Sequence, residues 1–518
     1  MKHILSLDQG TTSSRTLLID ESGEVISKSQ KEFKQIFPKP SWVEHDPLEI
    51  WNSQLETAKD VILKSNINLE NISAIGITNQ RETIVAFDSE TGKPVYNAIV
   101  WQCRRTAAYC DELKLKYKVK IKEKTGLEID AYFSASKMRW ILENIPAAKE
   151  LIKDKRLRFA TIDSWLIWNL TSGKSFYTDP SNASRTMLFN IKENKYDKEL
   201  LEIFGIEEWM LPEVISSDGD FGLTDKKLFG VEIPIHTVLG DQQEALFGQC
   251  CFKEGDLKVT YGTGGFLLIN IGDKLKLNEN FLTTIAWKSN VIARSKATKQ
   301  SSNDSQNKIA SGPTDPRNDN VTYAFEGATF ISGAIIQWLR DGLGIIKDSS
   351  ECEKIAISLD SNEGVYLVPA LVGLGAPYWN QGARGIILGL TRGSTKAHIV
   401  RAAVESMAYQ IADLILPIKK ELPKDTFIKA DGGAAKNNFL LQFQADLLQI
   451  PVTRSSQVEA TALGVAYLAG LKLGFWKSFE DIQKTWHPDE LFIPRIHRDK
   501  EYSLWKEAVK RSLTWEVN

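Results

Sequence analysis

Hydroxyl side chains, an acid and an arginine are concentrated in one short turn near the start of the sequence. The turn, Asp8 to Arg15, reads Asp-Gln-Gly-Thr-Thr-Ser-Ser-Arg and joins two apolar strands, one ending at Leu7 and one returning through Leu17. Gly10 permits the positive φ that a tight turn often needs. Hydroxyls, turn amides and an arginine suit a phosphate, and a carboxylate at the end of a strand suits Mg²⁺, directly or through water. An ordinary hairpin with a polar loop is the alternative.

A second strand-turn-strand segment of this kind lies about half a chain further on. Residues 257–271 read Leu-Lys-Val-Thr-Tyr-Gly-Thr-Gly-Gly-Phe-Leu-Leu-Ile-Asn-Ile. Two such turns suggest two similar domains that face each other across a nucleotide. The sequence has neither a G-x-x-x-x-G-K-[ST] loop nor a G-x-G-x-x-G turn from a strand into a helix with a following acid, so P-loop and Rossmann interpretations lose support.

A third glycine turn, Asp431-Gly432-Gly433, leads from a strand into a helix. Consecutive glycines let the backbone approach a ligand closely, and the N-terminus of a helix favours anionic groups. A plain strand-to-helix turn is the alternative.

Further polar groups stand at the ends of apolar strands. Arg81 and Glu82 follow the predicted strand 72–78; a guanidinium that donates and a carboxylate that accepts suit a polyol, whereas a solvated ion pair is the alternative. Trp101 ends another short strand, either as plain core or as an aromatic wall for a carbon backbone. Asp241 stands where a strand meets a helix, either as an N-cap or as the general base of a phosphoryl transfer.

The length of the chain predicts two domains that carry these groups. Its 518 residues exceed the roughly 250 to 300 at which a single core stops growing, and we expect an N-terminal domain at 1–248 and a C-terminal domain at 249–518. Residues 288–320 are polar, without periodicity, and predict a disordered surface insertion between the strands 281–287 and 321–327.

Composition and charge exclude several classes of function. The sequence has 64 Lys and Arg residues and 66 Asp and Glu residues, which gives a net charge of -2. This charge shows no excess of basic residues of the kind that indicates nucleic-acid binding. No apolar run approaches the roughly 18 residues of a membrane span, and the sequence enters a strand without a signal peptide, so we expect a cytoplasmic protein. Five cysteines without a C-x-x-C pair indicate buried reduced thiols, and six scattered histidines do not suggest zinc. Any metal should be a hard cation carried in with phosphate.

The three glycine turns resemble the two phosphate turns and the adenosine turn of the actin-like ATPase fold, and within it the FGGY carbohydrate kinases. Longer motifs are similar to those of family members that phosphorylate glycerol, and the resemblance covers the chain except 288–320. These motifs are Gly-Ile-Thr-Asn-Gln-Arg-Glu-Thr at 76–83, Asn-Ala-Ile-Val-Trp-Gln-Cys-Arg-Arg at 97–105, Gly-Asp-Gln-Gln at 240–243 and Gly-Leu-Gly-Ala-Pro-Tyr-Trp at 373–379.

The resemblance implies an α/β fold: two actin-like (ribonuclease H-like) domains with mixed sheets flanked by helices, and a nucleotide cleft between them. It implies a homo-oligomer, dimer or tetramer, that uses ATP and Mg²⁺ to phosphorylate glycerol to sn-glycerol 3-phosphate while its two domains close to exclude water. The alternatives are a related kinase acting on a pentulose, an actin-like ATPase without a small-molecule acceptor, and an inactive descendant.

The resemblance also implies a role for each matching position. Asp241 is expected to take the proton of the attacking hydroxyl, and Asp8 to organise Mg²⁺. The glycerol hydroxyls are assigned to Arg81, Glu82, Tyr132, Asp241 and Gln242, and its carbons to Trp101 and Phe266. The phosphates are assigned to Thr11, Thr12, Ser13, Arg15 and Thr263, and the rest of the nucleotide to Gly333, Gln337, Gly433 and Asn437.

One departure from the family pattern concerns regulation. Some bacterial members bind a sugar bisphosphate through a Gly and an Arg just before the strand that leads to Gly-Asp-Gln-Gln, and here Glu232 stands in place of that Arg. Because a carboxylate repels phosphate, we expect fructose 1,6-bisphosphate to inhibit weakly or not at all. Others carry a phosphorylatable His nearby, and this stretch has none before His236.

Overall fold

The computed structural model describes residues 1–292, 320–455 and 460–514, which contain two large mixed sheets. In the first sheet, three strands form an antiparallel meander and two more run parallel to the meander's first strand. In spatial order its strands are Ile235–Gly240, Ile72–Asn79, His3–Gln9, Ser13–Asp20 and Val25–Glu32.

The second sheet repeats this arrangement and adds one strand at each edge. Its meander begins at Leu257, and the strand starting at Ile428 runs parallel to the meander's first strand. In spatial order its strands are Leu282–Lys288, Val321–Thr329, Gly265–Asn270, Leu257–Tyr261, Ile428–Asp431, Val452–Ser455 and Pro488–Phe492. The shared five-strand pattern agrees with the prediction of two similar halves, whereas the boundary at residue 248 stays a prediction.

Helices flank both sheets. The first begins at Pro47. Proline is tolerated there because the first N–H of a helix has no partner within the helix. Asp46 caps this helix by accepting from the N–H of Leu48. The helices are Pro47–Ser65, Ala107–Thr125, Ser134–Asn144, Pro146–Lys153, Ile162–Leu170, Pro180–Ala183, Lys198–Phe204, Lys226–Phe229, Asp241–Gly248, Gly333–Gln337, Glu351–Ile357, Lys396–Ile418, Asn438–Leu448, Ala460–Leu473, Phe479–Gln483 and Asp499–Ser512.

The described part of the chain also contains five short two-stranded ribbons. They pair Glu44–His45 with Ala98–Ile99, Val85–Asp88 with Leu157–Ala160, Tyr177–Thr178 with Glu213–Val214, Phe189–Asn190 with Lys195–Tyr196, and Tyr366–Val368 with Ile386–Leu388.

Two helices join the halves of the molecule. The helix Asp241–Gly248 continues from the first sheet, and Ala460–Leu473 follows the second sheet but packs against the first. Their close approach requires glycine, because a Cβ on Gly464 would lie 2.3 Å from the carbonyl oxygen of Glu244. The N–H of Gly464 donates to Glu244 Oε1 at 2.7 Å. The strand ends that carry the polar groups therefore face each other across this junction.

The structure also bears on the predictions for the cysteines, for Gly10, for the insertion and for membrane spans. All five cysteines are buried and free, as expected. Gly10 does not adopt a positive φ; its N–H donates to the carbonyl of Ser13, and a Cβ would come within 3.2 Å of that oxygen, so the turn needs space there. The predicted disordered insertion was expected to begin at Lys288, but Lys288 is the last residue of a strand. Residues 293–319 of the predicted insertion lie outside the described part of the chain. No described helix is both long and apolar enough to cross a membrane.

Candidate active site

A small cavity lies between the two sheets, where their strands end. Its volume is about 190 Å³, below the roughly 300 to 1,000 Å³ typical of pockets for drug-sized ligands. Every residue predicted to hold or wall a polyol lines it, together with residues of the first two glycine turns. The lining consists of Thr11, Thr12, Arg81, Glu82, Trp101, Tyr132, Asp241, Gln242, Thr260, Gly262, Thr263, Gly264 and Phe266.

Arg81 is held by a carboxylate from the opposite sheet. Its Nη1 donates to Glu326 Oε2 at 2.6 Å and its Nη2 to Oε1 at 3.1 Å. Nη1 also donates to Gln243 at 3.1 Å, and Nη2 to the hydroxyl of Tyr132 at 3.4 Å. Arg81 is only 2% exposed, so the alternative of a solvated ion pair is wrong. The guanidinium is instead a donor whose orientation is fixed before any ligand arrives.

Arg185 extends this contact into a buried network of opposite charges. Its Nε donates to Glu82 at 2.7 Å and its Nη2 to Glu326 at 2.9 Å. Burial raises the pKa of Glu82, and Arg81 and Arg185 offset only part of that rise. Burial would also raise the pKa of Glu326, but the two arginines outweigh it and hold this pKa below its usual value. Glu326 therefore stays ionised, while Glu82 is a carboxylate of raised basicity facing the cavity.

The backbone at Glu82 explains how two adjacent side chains reach one cavity. Successive side chains of an extended strand point to opposite faces, yet Arg81 and Glu82 line the same space. Glu82 has a φ of 62°, in the left-handed region, where a non-glycine residue costs about 1 to 3 kcal/mol. The hydroxyl of Ser134 donates to the Glu82 carbonyl at 3.2 Å and supports this conformation.

Asp241 is the first residue of its helix, and Gly240 is the N-cap, so the N-cap alternative is wrong. Asp241 Oδ1 lies 2.9 Å from Arg81 Nε, an ion pair in which the N–H is not aligned with the oxygen. Neither atom has a hydrogen-bond partner in the described part of the chain. The side chain is 28% exposed. Burial raises the pKa of Asp241, against the opposing effects of Arg81 and Lys258. This carboxylate combines raised proton affinity with an oxygen that a ligand can use.

Aromatic rings form the remaining walls of the small cavity. The ring of Trp101 lies 5.6 Å from that of Tyr132 and 6.1 Å from that of Phe266, both edge-on. Trp101 has a second contact that the sequence did not predict, since its Nε1 donates to the hydroxyl of Thr11 at 2.9 Å. A hydroxyl that accepts one hydrogen bond can still donate its own proton. Trp101 therefore connects the polyol cavity to the first glycine turn.

A larger cavity of about 750 Å³ adjoins the small one. Thr12, Gly262 and Thr263 line both spaces, so the two cavities meet at the first two glycine turns. Gly333, Gln337, Gly433 and Asn437, the residues predicted to surround the nucleotide, all line the larger cavity, whose other walls include Gln30, Tyr261, Ile336, Arg340, Ser349, Ser350, Cys352, Glu353, Met407, Ala434 and Lys436.

The second glycine turn is oriented by the helix that begins at Gly333. The N–H of Gly333 donates to the carbonyl of Gly262 at 2.8 Å, and those of Ser332 and Ala334 donate to the carbonyl of Thr263 at 2.9 and 3.1 Å. Because the C=O and N–H of a trans peptide point in opposite directions, the N–H groups of Thr263 and Gly264 point away from this helix. A turn whose amides point away from the supporting helix in this way suits an anion.

The third glycine turn packs against the second. A Cβ on Gly432, whose φ is 88°, would lie 2.6 Å from the carbonyl oxygen of Tyr261. At Gly433 a Cβ would meet no atom within 4 Å, so the backbone there borders open space in the larger cavity. Asn437 caps the following helix by accepting from the N–H of Leu440 at 3.0 Å.

Three predicted residues of the first turn do not line either cavity. Asp8 is paired with Arg15, which donates to Asp8 Oδ2 from Nε at 3.0 Å and from Nη2 at 2.5 Å. The hydroxyl of Ser13 accepts from Gln30 at 2.9 Å. Within residues 1–292, 320–455 and 460–514, no group of three or more His, Cys, Asp or Glu side chains could hold a metal ion by itself.

Sequence reasoning missed four buried residues that support the site. Glu326 and Lys258 are charged residues within otherwise apolar strands, and this signal could have identified them, because a buried charge must be paired. Arg185 lies in a polar, turn-rich stretch, and Gln243 directly follows a predicted site residue. Nothing in the sequence therefore distinguished either residue as part of the site.

Comparisons with known proteins match one family over most of the chain. The N-terminal and C-terminal domain models of the FGGY family of carbohydrate kinases match residues 3–248 and 257–473. The chain is 54% identical over 520 residues to a glycerol kinase of Caldanaerobacter subterraneus subsp. tengcongensis, with 99% of each chain covered. It is 53% identical over 522 residues to glycerol kinase 2 of Thermotoga maritima, with 100% of each chain covered.

Solved structures show the same architecture. The crystal structure of Plasmodium falciparum glycerol kinase with ADP matches with a TM-score of 0.84 and 35% identity, over 100% of this chain and 99% of that one. A xylulose kinase from Lactobacillus acidophilus matches with a TM-score of 0.81 over 99% of this chain and 97% of that one, but at 22% identity this likeness concerns the fold alone. The expected α/β fold of two actin-like domains is confirmed.

Proposed function

Because the chain belongs to the FGGY family of carbohydrate kinases, we propose that it transfers the γ-phosphate of ATP to glycerol and forms sn-glycerol 3-phosphate. The observation that carries this proposal is the meeting of the two cavities at Thr12, Gly262 and Thr263. A small polar cavity suits a polyol, a larger one suits a nucleotide, and a phosphate bound between them is in reach of both. Relatives at 53% to 54% identity over the full length are glycerol kinases.

Glycerol binding uses the buried charges and the aromatic walls. Arg81 donates to one hydroxyl, and Glu82, with its raised basicity, accepts from another. Tyr132 and Gln242 supply further polar contacts at the wall of the cavity. The faces and edges of Trp101 and Phe266 cover the carbon atoms and exclude water. This pattern selects an acceptor with several adjacent hydroxyls.

Asp241 is the general base. Its carboxylate must be ionised to take the proton of the terminal hydroxyl as that oxygen attacks the γ-phosphorus. Arg81 keeps the carboxylate ionised, and burial raises its pKa above that of an ordinary Asp, which makes it a better proton acceptor. The O–P bond forms as the bond to the ADP oxygen breaks, and the proton remains on Asp241.

The glycine turns bind the nucleotide. The hydroxyls of Thr11, Thr12 and Thr263 and the amides of the second turn hold the phosphates. Ser13 and Arg15 join them when the domains close, since they lie outside both cavity walls here. The remainder of the nucleotide lies along Gly333, Gln337, Gly433 and Asn437, where the open backbone face of Gly433 allows close approach.

Mg²⁺ fits the chemistry of this site. Mg²⁺ is usually held by one or two carboxylates together with substrate phosphates rather than by a cage of protein ligands. The site offers this, because Asp8 is a buried carboxylate beside the first turn and the described residues contain no preformed cluster. When bound, the ion would neutralise phosphate charge, with Asp8 holding it and Arg15 fixing the carboxylate.

Steady-state kinetics with different acceptors test this proposal. ADP release would be measured with glycerol, with xylulose and without an acceptor. We expect a kcat/KM for glycerol far above that for xylulose and little ADP release without an acceptor. Faster turnover of xylulose would identify a pentulose kinase, and hydrolysis indifferent to glycerol would identify an ATPase without a small-molecule acceptor.

A further inference from the structure

A buried lysine beneath the proposed acceptor site has no part in the mechanism above. Lys258 lies in the strand Leu257–Tyr261, which leads into the second glycine turn, and its side chain is 0% exposed. Its Nζ donates to Gln242 Oε1 at 2.5 Å and to Thr260 Oγ1 at 2.7 Å. Both partners line the small cavity. Lys258 thus contacts the wall of the polyol site from the side of the second sheet.

The chemistry of this contact determines how Gln242 is oriented. An ammonium has three donors and no acceptor, so only the amide oxygen of Gln242 can face Lys258. The NH₂ group of the same amide must then face away from Lys258. Asp241 directly precedes Gln242, and the Gln242 side chain opposes the rise in the pKa of Asp241, as an NH₂ group directed to that carboxylate would.

The charges around the cavity give Lys258 a second effect on Asp241. Three cations, Arg81, Arg185 and Lys258, lie among the carboxylates Glu82, Glu326, Asp241 and Asp431. Arg81, Lys258 and Glu326 all act on the pKa of Asp241, and burial lowers the pKa of Lys258 against the effects of Asp431, Asp241 and Glu326. Loss of Lys258 removes a positive charge that lowers the pKa of the base.

We propose that Lys258 is a positioning residue for phosphoryl transfer, which holds the amide of Gln242 with its NH₂ group directed to the acceptor hydroxyl and to Asp241. This inference rests on the proposed function, because it concerns the acceptor of that reaction. Lys258 also donates to Thr260 at the start of the second glycine turn. One buried cation therefore links the acceptor wall to the phosphate-binding turn.

Lys258→Met removes the ammonium and keeps an unbranched side chain of similar size. We expect the KM for glycerol to rise roughly 10- to 100-fold, the range for a hydrogen bond to a charged group, with a smaller change in the KM for ATP. The pKa of Asp241 should rise when the nearby cation is lost, so the acid limb of the pH profile of kcat/KM should move to higher pH.

The matched control is Lys429→Met. Lys429 is paired with Lys258 in the adjacent parallel strand and is also buried, at 6% exposure, but it donates to the carbonyls of Gln249 and Cys250. We expect this variant to leave the pH profile and the glycerol KM near wild type. A second variant, Gln242→Glu, keeps a partner for Lys258 and removes the NH₂ donor, so it should raise the glycerol KM even if Lys258→Met fails to fold.

A double-mutant cycle separates positioning from simple structural support. If Lys258 acts through Gln242, Lys258→Met should add little to the glycerol KM of Gln242→Ala, and Lys258→Arg should restore part of the wild-type value. Additive effects, or an unshifted pH profile in an active Lys258→Met enzyme, would overturn the inference and leave the proposed function intact. A wild-type protein that does not phosphorylate glycerol would refute both.

Discussion

Arg81, at the end of a strand in the first sheet, donates to both carboxylate oxygens of Glu326, in a strand of the second sheet, at 2.6 and 3.1 Å. This pair is fully buried and spans the cleft between the two sheets. It therefore does two things: it fixes the guanidinium proposed to bind glycerol, and it makes the acceptor site depend on both halves of the protein.

Glu326→Gln should destabilise the protein and weaken glycerol binding. Removing one partner of a buried ion pair typically costs about 3 to 5 kcal/mol, because the remaining charges stay buried without compensation. Here both Arg81 and Arg185 lose their shared carboxylate. Urea denaturation should show a lower midpoint, and the KM for glycerol should rise more than the KM for ATP.

Glu254→Gln is the control for this change. Glu254 is 62% exposed and paired with Lys276 on the surface, and exposed pairs contribute about 0 to 1 kcal/mol. Equal shifts in the two variants would show that the buried pair has no special role.

Asp241→Asn should abolish most turnover and leave nucleotide binding intact. An amide cannot take the proton of the acceptor hydroxyl, and loss of a general base costs roughly 10²- to 10⁴-fold. ADP titration of the variant should give a dissociation constant near wild type. Asp220→Asn, at an 83% exposed site, should be fully active. If Asp241→Asn retained turnover, Asp241 could not be the base.

Trp101→Phe tests the connection between the acceptor site and the first glycine turn. Phenylalanine keeps an aromatic wall but removes the hydrogen bond from Nε1 to Thr11. We expect kcat/KM to fall roughly 2- to 10-fold, the value of one neutral hydrogen bond, for ATP as well as for glycerol.

Trp165→Phe controls for the loss of a buried indole N–H. Its Nε1 donates to the carbonyl of Pro47 at 2.9 Å, away from both cavities. An effect of Trp101→Phe on glycerol alone would mean that Trp101 acts only as a wall.

The pH dependence of the free energy of unfolding should reveal the ionisation of Lys137, which is buried behind the acceptor site. Its Nζ donates to the carbonyls of Tyr132 and Phe133 at 2.6 and 2.8 Å, and burial lowers its pKa to about 7. In the unfolded chain the pKa of a lysine is about 10.4. Between these values the unfolded state binds more protons than the folded state, so stability rises with pH.

Comparison with Lys137→Met isolates this contribution. The free energy of unfolding of wild type minus that of the variant should be flat below about pH 6 and should rise by up to about 1.4 kcal/mol per pH unit above about pH 7. Urea denaturation at pH 6, 7.5 and 9 measures it. Lys153→Met, at a 69% exposed site, should show no such slope. A constant difference for Lys137→Met would mean that Lys137 does not titrate in this range.

Much of the fold and of the site could be predicted from residue types at turns and at strand ends. A glycine turn after an apolar strand, as at Gly262 and Gly432, can be recognised from composition, and so can an acid at a strand end such as Asp241. The residues that such patterns single out reach the cavities because the strands that carry them end at the same edges of the two sheets.

Other contacts could not be predicted because they depend on which strands face each other. Glu326 reaches Arg81 only through the packing of one sheet against the other. The indole of Trp101 was expected to cover carbon atoms, and its bond to Thr11 depends on a side-chain direction that sequence does not encode. The left-handed backbone of Glu82 could not be expected from its residue type, since Glu, unlike Asn, Asp and His, is not enriched in that conformation.

In the proposed reaction, the glycine turns direct the γ-phosphate of one ATP to a glycerol hydroxyl held between Arg81 and Asp241. Following the label of [γ-³²P]ATP in the presence of glycerol and Mg²⁺ tests it most directly. We predict that nearly all transferred label appears in glycerol 3-phosphate and that Asp241→Asn abolishes this product. Label found only in inorganic phosphate, with glycerol unchanged, would contradict the account.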